Sequence, residues 1–512
     1  MEKRTIIAVV LSIAILIGYS YFFQSKPVPK QPEPPVKNET KSDAPLKKEI
    51  TPVQSPSFQT SIPQESQEAD IIVETELYKA VLTNKGGIIR SWELKKYKDK
   101  DGKNVVLLKQ PRTIAPLGIL FEGADRDLPQ KLIYMTNTDK LILSGKEATG
   151  ELVFTYNSQG LFIRKKLVFY NNNYKVDFSM ETINTPQYLL PVGTDFGIFD
   201  KQAKTHKGPV ILADTDRNEF DEKLKEAKYF TGNIYWIAQE DSYFTAAVVP
   251  RTKIMGASVW KEGDTAEIAF KLSPEKHDFV LYAGPKDYDR LKVLNLKLEH
   301  LIDFGWFSIV AMPLFWVLKF FYKFIGNYGW AIVLITIITR IPFIPLMHKS
   351  QQTMKKMQEI QPKILELKER HKKDPQQMQK ELMGIYKKHK VNPMGGCLPM
   401  VLQIPVFIAL YNVLSKAIEL RGSPFIWWIH DLSVKDPYYI LPVVMGITMV
   451  IQQKMTPTTM DPTQAKMMMV LPIVFTFMFL TFPSGLVIYW LINNILAIAQ
   501  QYYANKSMKC EV

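Results

Sequence analysis

The chain has 512 residues, of which 46% are hydrophobic, and its formal net charge is +14. Its two cysteines, Cys397 and Cys510, form no Cys-x-x-Cys pair, so neither a disulfide framework nor a cysteine-based zinc site is expected. The mean hydropathy of −0.07 hides a polar first half and an apolar last third, which favours a membrane protein with a large water-exposed part.

An apolar run of 19 residues, Thr5–Phe23, follows Lys3 and Arg4. No small-x-small cleavage site follows it, which predicts an uncleaved membrane anchor over 1–23 with its N-terminus in the cytoplasm; a cleavable signal peptide is the alternative. The next segment, 24–70, holds nine prolines among Lys, Glu, Gln and Ser residues. This composition cannot bury enough apolar surface to fold, so we expect a disordered tether.

Apolar residues alternate with polar ones along the segment that follows the tether. Two such series are Leu152, Phe154, Tyr156 and, after a turn at Asn171–Asn173, Tyr174, Val176, Phe178, Met180. This period of two, with repeated turn signals, predicts an antiparallel all-β sandwich domain over 71–302 that ends in helices from Pro285 onward. The preceding anchor places this domain outside the cytoplasm.

An aromatic, apolar segment over 303–326 is long enough to span a membrane. Spanning would put the basic loop that comes later on the outer side, against the positive-inside rule. Lys319 and Lys323 lie one helical turn apart, which favours an amphipathic helix along the outer interface instead. The pair Gly326-Asn327 is expected to break this helix and to begin the second span, 327–348.

The basic loop 349–393 follows that span. Between 349 and 390 it holds 12 Lys and Arg residues but only 5 Asp and Glu residues, the pattern of a cytoplasmic loop rather than of a nucleic-acid surface. Apolar residues recur there at spacings of three and four, which predicts two amphipathic helices, and Asp374-Pro375 gives the second helix its cap and first position. We expect an antiparallel helical hairpin; a solvated linker is the alternative, because Pro362 weakens the first helix.

Spans three to six are predicted within 394–500, before a short cytoplasmic tail, 501–512. The apolar runs are Cys397–Ser415, Tyr438–Ile451, Met467–Phe482 and Gly485–Ala499. With the anchor, the count is six spans and both termini are cytoplasmic. The last three runs are shorter than the ~20 residues that cross a bilayer, so either flanking residues enter the membrane or the bilayer is thin around the protein.

Arg340 is a lone charge within the second span. At ~1.5 Å per helical residue it lies roughly 15 Å from Trp330 and roughly 13 Å from Lys349, close to mid-membrane. A central arginine costs about 2.5–3.5 kcal/mol on insertion scales, so we expect it to face a wet cavity. The alternative is a structural arginine bonded to carbonyl groups of neighbouring helices. Thr336, one turn earlier, shares its helix face.

The other polar residues of the predicted spans are uncharged. They are chiefly Thr339, Gln403, Asn412, Thr448, Thr476, Asn493 and Asn494. Because no Asp or Glu lies in the five spans after the β domain, transport by a carboxylate relay is disfavoured. His206, His277 and His300 show no metal spacing, and no phosphate loop or nucleophile motif is present, so an enzyme, a metal or a cofactor is not expected.

Methionines form a second group of interest. Met354, Met357 and Met378 in the hairpin, and Met467–Met469 at the fifth span, offer soft surface that adapts to varied apolar partners. The hairpin methionines are therefore candidates for capture of a partner segment. Ordinary core filling is the alternative.

Five long motifs in Phe304–Tyr502 resemble the YidC-type membrane protein insertase family, the YidC/Oxa/Alb family. They are GNYGWAIVLITIITRIPFIPL, KMQEIQPKILELKER, VNPMGGCLPMVLQIPVFIALY, WWIHDLSVKDPYYILPVVMG and FPSGLVIYW. The tether and β domain resemble the Gram-negative form of the family. The resemblance implies a five-helix insertase core after the anchor and a periplasmic β-supersandwich.

The resemblance also implies roles for individual residues. Arg340, Thr336 and Gln403 are expected in a groove open to cytoplasm and lipid, and Tyr489 with Trp490 is expected to contact substrate. The implied partners are nascent membrane proteins, the lipid bilayer, the Sec translocon and the ribosome, without specific nucleic-acid binding or a cofactor. Some members have long basic tails; the tail here has two lysines, which leaves a ribosome contact open.

We therefore expect an inner-membrane insertase and chaperone that moves hydrophobic segments into lipid without ATP, alone or with the Sec translocon. Two other functions remain open. One is an anion transporter that binds its solute at Arg340, and the other is an envelope scaffold that acts through the β domain.

Overall fold

The computed structural model describes residues 67–507, with gaps at 112, 124, 146, 159, 200–205, 372–373, 390, 392–397 and 456–461. The predicted anchor over 1–23 lies outside the described residues. So do nearly all of the predicted tether and the last five residues of the tail.

The described part of 70–285 is an all-β domain, as predicted. Its strands are β1 (Asp70–Glu74), β2 (Tyr78–Thr83), β3 (Ile88–Lys98), β4 (Asn104–Lys109), β5 (Leu120–Phe121), β6 (Met135–Thr136), β7 (Lys140–Ile142), β8 (Thr149–Ser158), β9 (Leu161–Tyr170), β10 (Lys175–Ile183), β11 (Tyr188–Pro191), β12 (Gly208–Ala213), β13 (Asp216–Glu219), β14 (Lys228–Phe230), β15 (Ile234–Glu240), β16 (Phe244–Pro250), β17 (Gly256–Glu262), β18 (Thr265–Leu272) and β19 (Lys276–Pro285). A short helix, α1 (Leu128–Lys131), interrupts them.

The strands form three sheets. A nine-stranded sheet has the order β13-β12-β15-β16-β19-β10-β9-β8-β6, and two five-stranded sheets have the orders β4-β3-β2-β1-β7 and β14-β17-β18-β11-β5. Strand pairs are antiparallel except β1 with β7. The predicted alternation is present in β10, where Val176, Phe178 and Met180 are buried. Phe178 pairs with Phe279 across the ladder, and the two rings stack 5.8 Å apart.

Lys165 is a fully buried cation in this β domain. It occupies an inward position of β9, and its Nζ donates to the carbonyls of Gly86 (2.7 Å), Gly87 (3.2 Å) and Leu117 (2.7 Å). Its Nζ also lies 5.3 Å from the centre of the Tyr134 ring. Three acceptors match the three N–H bonds of the ammonium, so the lysine joins β9 to the turn at Gly86-Gly87 and to Leu117 without a carboxylate partner.

The last β strand leads into helices, as predicted. Helix α2 (Tyr288–Val293) is capped by Asp287, whose carboxylate accepts from the N–H groups of Asp289 and Arg290 at 3.1 Å. The remaining helices are α3 (Ser308–Ile325), α4 (Tyr328–Arg340), α5 (Ile344–Arg370), α6 (Pro375–Lys388), α7 (Leu398–Lys416), α8 (Ile440–Met455), α9 (Pro462–Phe479) and α10 (Ser484–Ser507). Helices α3, α4 and α7–α10 are called the helical bundle below.

Charged side chains join the β domain to the bundle. Lys319 of α3 pairs with Asp289 after the β domain and, at 3.4 Å, with Glu419 in the loop after α7. In the same loop, the guanidinium of Arg421 lies 5.1 Å from the centre of the Phe244 ring of β16. The β domain and the helix α2 that follows it are thus held against α3 and the loop after α7 by ionic and cation–π contacts.

The bundle does not confirm the predicted six-span core. Among the described residues, Gly305–Ile325 and Tyr328–Leu367 are long and apolar enough to cross a membrane, whereas Ile440–Met455 and Met469–Phe479 are shorter. For α8 the physical reason is length: it has 16 residues and covers ~24 Å, less than a hydrocarbon core of ~30 Å. The first of the two long segments is the one for which an interfacial position was predicted, and that position stays a prediction.

The predicted break at Gly326-Asn327 is present. Gly326 adopts the left-handed conformation with φ +70°, and its N–H donates to Tyr322 O at 2.7 Å. Asn327 then caps α4 by accepting from the Trp330 N–H, and its amide donates to Phe425 O at 3.1 Å. This turn therefore fixes both the start of α4 and its contact with the loop between α7 and α8.

The predicted hairpin is also helical on both sides. Asp374 caps α6 through the N–H groups of Gln376 and Gln377, each at 3.1 Å. Helix α5 runs through Pro362 without ending, and a single 3-10 turn separates it from α4. The predicted boundary at 348/349 therefore falls inside α5, so that the second span and the hairpin are nearly continuous.

We expect the stability of the β domain to rise between pH 7 and pH 9 because of Lys165. Burial lowers the pKa of Lys165 to about 7, whereas the unfolded chain holds the proton up to the usual pKa of 10.5. The unfolded state thus binds more protons in this window, and stability rises by up to ~1.4 kcal/mol per pH unit. Urea unfolding of the full chain in detergent at pH 7, 8 and 9 measures this slope.

The variant Lys165→Met should flatten the slope, because the titrating group is gone. Lys166→Met is the matched control: Lys166 is the next residue of β9, is partly exposed, and pairs with Glu151 at 2.6 Å. An unchanged slope in Lys165→Met would contradict the assignment.

Candidate functional site

A small recess with a cavity volume of about 20 Å³ lies among α4, α5, α7 and α10. Its lining side chains are Thr336, Thr339, Arg340, Phe343, Met347, Gln403, Val406, Tyr489 and Asn493. None of these nine side chains is acidic. Three predicted site residues, Thr336, Gln403 and Tyr489, thus meet at Arg340.

The position of Arg340 follows from the local helix geometry. It is the last residue of α4, and the 3-10 turn Ile341–Phe343 follows it at once. Pro342 has no N–H for a regular helical hydrogen bond, which explains the change of helix type at this point. Thr336 lies one turn earlier on the same face and is buried, with its hydroxyl donating to Ile332 O at 2.6 Å.

Arg340 is bonded to α10 through Asn493. Its Nη1 donates to the backbone carbonyl of Asn493 at 2.8 Å and also to the Oδ1 atom of the Asn493 side chain. Its Nε is buried and has no hydrogen-bond partner. Both sequence-based expectations thus describe part of the site: the arginine binds a carbonyl of a neighbouring helix, and it also lines a recess.

Gln403 and Tyr489 form the opposite wall of the recess. The Gln403 side chain hydrogen-bonds the hydroxyl of Tyr489, and the Tyr489 ring is 2% exposed. The ring also stacks with Phe407 of α7, with centroids 6.4 Å apart. These contacts hold α7 and α10 together beside Arg340.

Trp490 lies outside the recess. Its ring contacts Phe407 (centroids 4.8 Å apart), Phe479 (5.1 Å) and Phe475 (6.0 Å). Consecutive helical residues point about 100° apart, so that Tyr489 lines the recess and Trp490 does not, although both rings contact Phe407. The predicted aromatic pair is therefore divided between the recess and an aromatic cluster of α7, α9 and α10.

The hairpin methionines occupy different environments. Met357 is 7% exposed and packs with Ile360, Ile364 and Val391 in a small hairpin core, while Met354 and Met378 are half-buried. The side chains of Met467 and Met468 lie outside the described residues. Met383, which the sequence reasoning did not select, is more than half exposed.

Five lining residues were not selected as site residues from the sequence. Thr339 and Asn493 carried a usable signal, because both are polar within apolar runs. Phe343, Met347 and Val406 carried none, since an apolar residue in a membrane helix is the default. No group of three or more His, Cys, Asp and Glu side chains suited to a metal occurs among the described residues.

An all-β domain joined to apolar helices that enclose a cationic recess defines an integral membrane protein with a hydrogen-bonding site among its helices. Residues 320–511 match the family described as 60Kd inner membrane protein, and residues 70–317 match the YidC periplasmic domain. The chain belongs to the YidC family of membrane protein insertases. Membership places it in the inner membrane with a periplasmic β domain.

Full-length relatives support this assignment. The chain is 44% identical to the membrane protein insertase YidC of Geotalea daltonii and 43% identical to that of Geotalea uraniireducens, over 99% of this chain and 100% of each relative. A crystal structure of an active YidC insertase with its first transmembrane domain resolved is 20% identical, covers 86% of this chain and 93% of its own, and has a TM-score of 0.39.

We expect Trp490→Ala to destabilise the bundle, because it empties the centre of the aromatic cluster. The loss should fall near the lower end of the ~3–5 kcal/mol typical of a buried Trp→Ala change, since Trp490 is only partly buried. Trp490→Phe keeps an aromatic ring there and should retain both stability and insertion. Thermal unfolding in detergent and insertion into proteoliposomes measure the two effects. A stable Trp490→Phe variant that fails to insert would instead indicate direct contact with the substrate.

Proposed function

We propose that this membrane protein insertase uses the recess around Arg340 to lower the cost of moving polar tails of nascent membrane proteins across the inner membrane. One observation carries the proposal: the partly buried Arg340 side chain lines the recess, and its Nε has no hydrogen-bond partner. A polar group in a membrane needs a hydrogen-bond partner, because each unsatisfied group costs several kcal/mol. The recess supplies such partners, and the hydrophobic segment of the same client then passes into lipid.

The uncompensated charge supports a role in attracting acidic tails. No acidic side chain lines the recess, so the charge of Arg340 remains available to a client. The step needs no ATP, because the burial of an apolar segment in lipid provides the driving force. An anion transporter would share the positive charge, but a saturable flux of a small anion into liposomes would be its signature.

Short helices support a second part of the mechanism. Helix α8 covers ~24 Å, less than the ~30 Å of an ordinary hydrocarbon core. We propose a locally thin bilayer around the six-span protein, with both termini cytoplasmic and α3 along the outer interface. A thinner bilayer shortens the path of a client tail.

The hairpin of α5 and α6 is proposed as the capture element. Its core of Met357, Ile360, Ile364 and Val391 is separate from the core of the bundle. Its outer surface is basic and includes the exposed Met383. Met354 and Met378, which are only half-buried, remain candidates for contact with a client segment. The Sec translocon and the ribosome are proposed as further partners because the family resemblance implies them.

Replacing Arg340 tests the recess. Arg340→Ala should abolish insertion of clients with charged translocated tails, whereas Arg340→Lys should retain much of it. The reason is that the recess needs a hydrated positive charge more than it needs the planar hydrogen-bonding geometry of a guanidinium. Lys349→Ala, nine residues further along and exposed, controls for net charge. Insertion of a single-span client into proteoliposomes is the measurement. A folded Arg340→Lys variant as inactive as Arg340→Ala would contradict the generic role of charge.

Removing Met354–Ile385 tests the capture element. The deletion should impair insertion and leave the bundle assembled, because the hairpin has its own core. The Gln351–Gln501 hydrogen bond (2.8 Å), which ties the start of α5 to α10, lies outside the deleted segment. Thermal unfolding in detergent checks the assembly. A collapse of the bundle would show that the hairpin has a structural role instead.

A further inference from the structure

Asn493 is the only residue among the recess lining that binds Arg340 with two different acceptors, its carbonyl and its side-chain Oδ1. The backbone carbonyl is available whichever residue stands at 493, since a carbonyl oxygen has a second lone pair beyond its helical hydrogen bond. The side chain adds an acceptor that depends on residue type. Both acceptors engage the same nitrogen, Nη1, and leave the buried Nε free.

This arrangement fixes the direction of a long side chain. A free arginine loses rotamer freedom when it is held in one geometry. Asn493 holds Nη1 on α10, so that this ordering is already in place before a client arrives. A side chain that is already ordered loses less conformational entropy when a client binds, which raises the affinity.

The charge of the acceptor matters as much as its position. Asp has nearly the same shape as Asn and would bind Nη1 more strongly, but it would cancel the positive charge of the guanidinium. An amide binds the arginine and leaves its charge intact. None of the nine side chains that line the recess is acidic, so none of them compensates the charge of Arg340.

We infer that Asn493 is a positioning residue that orients Arg340 toward the client while keeping its charge uncompensated. The inference rests on the proposed function of the recess. It requires an uncharged side chain at position 493 of α10. Insertion of acidic tails should therefore depend on Asn493, and insertion of uncharged tails should depend on it much less.

The neighbouring asparagine is a matched control. Asn494 points to the other side of α10, where its amide donates to Thr448 Oγ1 of α8 at 3.2 Å. It is also buried. Because Asn493 is only half-buried, removal of the Asn494 side chain should disturb helix packing at least as much, without touching Arg340.

The experiment compares two clients that differ only in a translocated tail with acidic or with neutral residues. Purified full-length Asn493→Asp, Asn493→Ala and Asn494→Ala variants are tested in proteoliposomes, with thermal unfolding in detergent measured for each. Asn493→Asp should insert the acidic-tail client as poorly as Arg340→Ala and should reduce insertion of the neutral-tail client much less. Asn493→Ala should lower insertion of the acidic-tail client about tenfold, as expected for one hydrogen bond to a charged group.

Asn494→Ala should affect both clients equally. Normal insertion of the acidic tail by Asn493→Asp would overturn the neutrality requirement, and equal losses for both clients in Asn493→Ala would show that the residue is merely structural. Arg340→Ala in the same assay separates the two proposals. If it inserts the acidic tail normally, the function of the recess is wrong; if it fails while both Asn493 variants behave as wild type, only this inference is wrong.

Discussion

The solvation of one guanidinium inside an apolar bundle is the constraint on which the site depends. Lipid offers Arg340 no acceptors, so the bundle must supply them or admit water. Asn493 supplies two, both to Nη1, and the Arg340 side chain also lines a recess. A fully satisfied arginine would be a structural element only. A wholly unsatisfied one would destabilise the span, and the partial satisfaction seen here lies between these two cases.

The β domain also removes a basic side chain from water, but there every N–H donor of that side chain has an acceptor. Lys165 is a fully buried basic side chain, whereas Arg340 is partly buried, and three carbonyls lie within hydrogen-bond distance of the Lys165 Nζ. That lysine therefore has no donor left for a ligand, and it joins backbone segments instead. The comparison shows why burial of a charge alone does not indicate function: the count of unsatisfied donors separates the two cases.

Local features were predictable from the sequence, and contacts between distant residues were not. The period of two in β10, the turn at Gly326-Asn327 and the cap at Asp374 depend on neighbouring residues, and the structure contains all three. Lys165 broke the apolar pattern of β9 without revealing its acceptors. Asn493 lies 153 residues after Arg340, and no spacing rule relates the two. Length and hydropathy likewise could not settle the spans, because α8 is too short for an ordinary bilayer.

The two consecutive asparagines of α10 restrict how the recess can change shape. Asn493 binds α4 on one side, and Asn494 binds α8 on another. Rotation of α10 about its axis would break both hydrogen bonds together, so these bonds hold the helix in one orientation between its neighbours. Helix α7 is joined to it in the recess through Gln403 and Tyr489. Any widening of the recess beside α10 would therefore require α4 or α7 to give up a hydrogen bond to that helix.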